Sequence, residues 1–172
     1  MEKNTAAFIA LFTVFSALAD EEFIERNMIG TEESFHTWER YKMTKFYSKG
    51  GPEDKSYISI AGPHMILKSM DSELESLKGR KVALYGIIKA DNVEKTQKHW
   101  EGVKFQIVYK ESGVDGTRFA EGNVQRTGSY DWKEFETCVQ LPQNLSSFTI
   151  KIGIQGTSGT IYVSDIDLKI IE

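Results

Sequence analysis

The side chains that could do chemistry here are not grouped as bond-breaking enzymes group them. His36, His64 and His99 stand apart, without the spacing that gathers imidazoles on one metal. Cys138 is the single cysteine, with no base beside it in sequence to make it a nucleophile. The chain has no serine elbow, no phosphate-cradling glycine loop and no zinc-protease helix. Gly113 to Gly116 reads as a hairpin turn. Glu101, Glu111, Asp115, Glu121 and Asp131 supply carboxylates, and a glycosidase needs two of them across a bond, yet sequence alone gives no pair a separation.

The elements that must position such groups are strands. Over 172 residues, 40% hydrophobic and 27% charged, one globular domain is expected, and a net charge of −4 without a basic cluster argues against nucleic acid. Residues 1–19 carry Lys3, an apolar run from Ala6 and a small-residue end at Ala17-Leu18-Ala19, the layout of a secretory signal peptide cleaved after Ala19. The run is too short to span a bilayer comfortably. The domain is then 20–172, exported, free of membrane after cleavage. With one cysteine it has no internal disulfide.

Helical periodicity is scarce, with one turn expected at Ser72–Leu77. HTWERYKMTKFY reads as one or two strands, SKGGPED as a loop, and KSYISIAG, HMILKSM, KVALYGIIKA, WEGVKFQIVYK, FETCVQL, SFTIKIGIQG and GTIYVSDIDLKII as further strands. About nine or ten strands with short connections leave no room for crossover helices, so the expected fold is all-β, an antiparallel two-sheet sandwich of jelly-roll type. Alternation separates the faces. Val103, Phe105 and Ile107 oppose Lys104, Gln106 and Val108. Phe148, Ile150, Ile152 and Ile154 oppose Thr149, Lys151, Gly153 and Gln155. Val82, Leu84 and Ile88 oppose Ala83, Tyr85, Ile87 and Lys89. Cys138, inside an alternating strand, is expected to be a buried, inert thiol.

LKGRKVALYGIIKADNV, and GSYDWKEFETCVQLPQ continuing to the closing SDIDL, resemble the jelly-roll carbohydrate-binding modules that accompany cellulases and xylanases, families 4, 9, 16 and 22, over roughly residues 74–172. The resemblance implies a galactose-binding-domain-like sandwich that binds a polysaccharide or oligosaccharide as a monomer. It also implies a structural calcium held by an early acidic residue and an aspartate of the last strand. Asp165 matches the second of the family's paired aspartates and Ser164 replaces the first; Glu25, Glu32 and Glu33 are open as the early ligand.

Sugar recognition uses aromatic faces against the C–H face of a pyranose, and amide or charged groups around its hydroxyls. The outward strand positions Tyr85, Lys104, Gln106, Lys151 and Gln155, with the loop residue Trp100, are the candidate carbohydrate-binding set. Trp132 is expected to be a buried anchor, Trp38 and Tyr41 core, and Tyr47 and Tyr57 the lining of a cleft end. A hydrolase or lyase on the same scaffold, and an adhesion or assembly domain, are the competing readings. Asn144-Leu145-Ser146 is a glycosylation sequon placed in a surface loop.

Overall fold

A computed structural model describes residues 22–40 and 42–171. The expected signal peptide and Tyr41 lie outside them. Ten strands form two antiparallel sheets: β1 (Glu22–Glu25), β2 (Thr44–Tyr47), β3 (Tyr57–Ala61), β4 (Met65–Ser69), β5 (Lys81–Val93), β6 (Gly102–Glu111), β7 (Arg118–Glu121), β8 (Gly128–Gln140), β9 (Leu145–Gln155) and β10 (Thr160–Ile170). The first sheet runs β2-β3-β10-β5-β8, with β1 also paired to β10; the second runs β4-β9-β6-β7. This is the two-sheet sandwich the alternation calls for.

The face assignment follows the sequence period. Val82, Leu84, Ile88, Ile161, Val163 and Leu168 of the first sheet meet Val103, Phe105, Ile107, Phe148, Ile150, Ile152 and Ile154 of the second, and all are fully buried. Each such side chain contributes about 1.5–3 kcal/mol of transfer free energy. Gly86 belongs to this interface because a Cβ there would lie 2.9 Å from Phe105 Cζ. Thr137 enters the same layer and its hydroxyl donates to the Phe105 carbonyl at 2.9 Å.

Two short helices lie outside the sheets, α1 (Glu32–His36) and α2 (Leu74–Leu77). The second falls within the expected turn. The first ends at His36, where the extended segment read from HTWERYKMTKFY begins; among the described residues of that segment, Thr44–Tyr47 is a strand and Glu39 forms an isolated bridge to Leu67. Local chemistry explains the helix. Thr31 caps the Ser34 N–H while the Ser34 hydroxyl receives the Thr31 N–H, a reciprocal box that starts a helix at once. Trp38 follows, buried as expected, and its Nε1 donates to the Met28 carbonyl at 3.2 Å. Among the described residues, no helix is long and apolar enough to cross a membrane.

Candidate carbohydrate-binding site

Bulges decide what the outer face of the first sheet presents. Ile88 pairs with Lys133 and Ala90 with Tyr130, so one residue of β5 faces two of β8, Asp131 and Trp132. The extra residue switches the parity of β8. Tyr130 and Phe135, five positions apart, can therefore both point inward, and both are buried. Trp132 is turned out. The expectation of a buried anchor is thus corrected: Trp132 is half-buried on the outer face, and Trp38 is the tryptophan that anchors the core.

Trp132 joins three tyrosines there. Tyr57 is the hub. Its ring stacks on Tyr47 at 4.7 Å and 7°, meets Trp132 edge-on at 5.9 Å, and meets Tyr162 edge-on at 6.0 Å; Trp132 and Tyr162 lie 6.5 Å apart. These edge and offset contacts are the ones ring quadrupoles favour. Three of the rings, with Lys89 and Gly50, line a depression of about 230 Å³. A neighbouring depression of about 320 Å³ shares Lys89 and Tyr162 and adds Asp91, Ser129 and Asp131. Lys89 Nζ lies 3.3 Å from Asp131 Oδ1. The backbone hydrogen bond from Trp132, followed by the bond and charge of Lys89, holds the Asp131 carboxyl below its usual range. The cleft-end role expected for Tyr47 and Tyr57 fits their position in this group.

A second bulge lies farther along the same face. Ser164 pairs with Ile87 and Asp167 with Tyr85, leaving Asp165 as the extra residue at φ 50°. Its carboxylate meets Lys55 Nζ at 3.0 Å, and that hydrogen bond, then the charge, raises the Lys55 pKa. A depression of about 640 Å³ opens here, with Tyr85, Glu134, Lys169 and Arg26 among its walls. Lys169 Nζ lies 4.6 Å from the Tyr85 ring centroid. Tyr85 is therefore outward, as its alternation requires, but on the opposite sheet from the other candidate strand residues.

Those others do share one face, the outer face of the second sheet. Gln106 pairs with Lys151 and Gly102 with Gln155. The expected open polar wall is corrected in part: Lys104 is 2% and Gln106 3% exposed. Glu121 of β7 closes them in. Its carboxylate takes Lys104 Nζ at 2.9 Å, the Gln106 amide and the Arg126 guanidinium. Burial works to raise the Glu121 pKa, but Lys104, Arg126 and Gln106 together hold it below the ordinary value. Burial, then the Lys104 charge, lowers the Lys151 pKa. Lys151 and Gln155 stay partly open. Trp100 is 47% exposed in the loop before β6, with His99 edge-on at 5.2 Å. Arg126 ties that loop to the wall by donating to the His99 carbonyl at 2.9 Å.

Cys138, expected to be buried, is exposed on the outer face of β8. It alternates with the inward Thr137 and Val139, so the strand was read correctly and the phase was not. Partial burial of the sulfur, then the Glu136 carboxylate, push its pKa up to about 11, which disfavours the thiolate at neutral pH. No three His, Cys, Asp or Glu side chains converge as a metal site among the described residues.

No protein-family model matches the sequence. No curated protein matches it either. Solved structures do match. The CBM22-1–GH10 modules of Clostridium thermocellum endo-1,4-beta-D-xylanase 10B, solved with xylohexaose, superpose with TM-score 0.65 at 13% identity over 90% of this chain, which spans 29% of that one. The CBM22-1 xylan-binding domain of Paenibacillus barcinonensis Xyn10C gives 0.62 at 12% identity, covering 88% of this chain and 96% of that domain. A further xylan-binding domain of family 22 gives 0.62 at 9% identity over 88% and 96%. At these identities the likeness is one of fold: this chain has the jelly-roll sandwich found in carbohydrate-binding modules of the type its sequence resembles.

Proposed function

We propose that this chain is a non-catalytic carbohydrate-binding domain, exported by the segment 1–19, that takes a polysaccharide or oligosaccharide on an outer sheet face as a monomer. The observation that carries the reading is the convergence of Tyr47, Tyr57, Trp132 and Tyr162 on one side of the first sheet. Aromatic rings half open to water, beside an ion pair able to hydrogen-bond hydroxyls, are what a pyranose requires. The fold is consistent with it. Binding rather than hydrolysis is favoured because two of the three carboxylates lining the adjoining depression are engaged, Asp165 with Lys55 and Asp167 Oδ1 with the Asn27 N–H at 2.7 Å, which leaves Glu134 without the second acid a glycosidase needs.

Trp100, Lys151 and Gln155 offer a second surface on the other sheet, with Lys104 and Gln106 beneath. Affinity electrophoresis through xylan, mixed-linkage glucan, mannan and pectin separates the two. The reading expects retardation by at least one polymer, lost in Trp132→Ala and Tyr162→Ala and kept in Trp100→Ala. The reverse pattern moves the site to the second sheet. Free migration through every polymer would sink the reading.

A further inference from the structure

The calcium implied by the resemblance needs six to eight oxygens around one point, carboxylates among them. Several of the oxygens at the matching place already have partners. Of the early acids Glu25, Glu32 and Glu33, Glu25 on β1 meets Lys68 Nζ at 2.9 Å and Glu32 approaches His36 Nε2 at 3.8 Å. Asp165 meets Lys55 Nζ at 3.0 Å, and Glu53 approaches the same ammonium at 3.4 Å. Ser164, in place of an aspartate, is 1% exposed and its hydroxyl donates to the Ser56 carbonyl at 2.7 Å. The Ser56 hydroxyl in turn donates to the Gly30 carbonyl at 3.0 Å. Met28 N–H reaches the Ile166 carbonyl at 2.9 Å and Asn27 N–H reaches Asp167 at 2.7 Å.

These bonds join three segments distant in sequence: the turn at 27–30, residues 55–56, and the bulge of β10 at 164–167. A divalent ion would join them by collecting their oxygens. Here, positive charge comes from a side chain, and hydroxyl donors occupy carbonyl oxygens that a metal would otherwise draw on. We propose that the Lys55 ammonium and the Ser56 and Ser164 hydroxyls fasten these segments in place of calcium, so that the fold is indifferent to that ion. The bulge makes this possible, because it places the Asp165 carboxylate against Lys55 instead of in the regular outward row.

The test is thermal unfolding of the full chain in 5 mM calcium chloride and in 5 mM EDTA, the calcium concentration being about 5 × 10³ times a micromolar Kd, at which a bound ion raises stability visibly. The expected result is one melting temperature in both. Lys55→Met is expected to lower it equally in both, and Lys55→Arg to restore it. A melting temperature of the natural chain that rises in calcium or falls in EDTA overturns the proposal, as does a Lys55→Met variant that melts unchanged. Neither readout depends on glycan binding, so this proposal and the preceding one fail separately.

Discussion

The rings of Tyr47 and Tyr57 stack 4.7 Å apart and 7° from parallel, joining an edge strand to its neighbour on the outer face of the first sheet. The pair is directly opposed in register, the arrangement in which cross-strand aromatics stabilise a sheet most. Tyr57 also carries Trp132 and Tyr162 against its edges. Removing it should therefore disperse the whole group. Tyr57→Ala is expected to lower stability by about 1–2 kcal/mol, erase much of the near-UV circular dichroism, and abolish polysaccharide retardation. Tyr57→Phe should keep all three, because the ring and not the hydroxyl makes these contacts.

For Trp132 the expectation separates binding from folding. The side chain is half-buried and outside the core, so Trp132→Ala should leave the fold in place. A loss of at least tenfold in affinity, about 1.4 kcal/mol, is expected for the polymer that retards the natural chain, measured by titration calorimetry. Unchanged affinity would contradict the assignment of the site to this face.

Glu121 makes stability depend on acid. Its folded pKa lies below the ordinary 4.5, because Lys104 and Arg126 outweigh the upward push of burial. A carboxylate of this kind stabilises the fold throughout the range above its unfolded value, and the contribution disappears as pH falls through the folded one. Glu121→Gln leaves Lys104 enclosed without its counter-charge and should cost about 2–3 kcal/mol at pH 7. The difference between variant and natural chain, measured by urea unfolding, is expected to shrink as pH drops below about 4.5. A difference constant down to pH 3 would show that the charge is not what matters.

Gly153 tests the seam between β9 and β4. It sits at φ 150°, and a Cβ there would lie 2.4 Å from the His64 carbonyl oxygen and 2.5 Å from Met65 Cα. Both are backbone atoms, so neither can swing aside. Gly153→Ala should destabilise by about 2 kcal/mol or more, seen as a lower urea midpoint. Gly113→Ala, with nothing within 4 Å, isolates the cost of positive φ alone and should lose less.

The Cys138 thiol is exposed, yet its pKa is raised to about 11, which should make it slow to react. Iodoacetamide at pH 7.5 should modify it on the order of 10²-fold more slowly than free cysteine, with a rate still climbing above pH 9. Glu136→Gln should accelerate the reaction, since that carboxylate is part of what holds the proton on.

Legibility in the sequence depended on unbroken alternation. Along 103–108 of β6 and 148–154 of β9 the period of two runs without interruption, and Phe105, Ile107, Ile150 and Ile152 are core as the pattern requires. Trp132, expected inside because a buried ring carries the larger energy, lies outside because a bulge between Tyr130 and Lys133 changes phase, and nothing in GSYDWKEF marks where the extra residue falls. The enclosure of Lys104 and Gln106 was hidden for a different reason. It comes from Glu121 on β7, a four-residue strand too short to announce itself, brought beside Gln106 only by pairing across the sheet. Alternation says which way a side chain points, not what stands over it. The aromatic group likewise draws on β2, β3, β8 and β10, spread over more than a hundred residues, so only the sheet order brings it together.

The pairing of Glu22 with Ile170 puts the first described strand and the last one side by side, running oppositely. A pull applied between these two ends would load the ladder at its tip, where antiparallel hydrogen bonds open one after another like a zip instead of sharing the strain. Tension transmitted along the polypeptide would thus peel β1 from β10 at low force, long before the greasy interior between the sheets felt it.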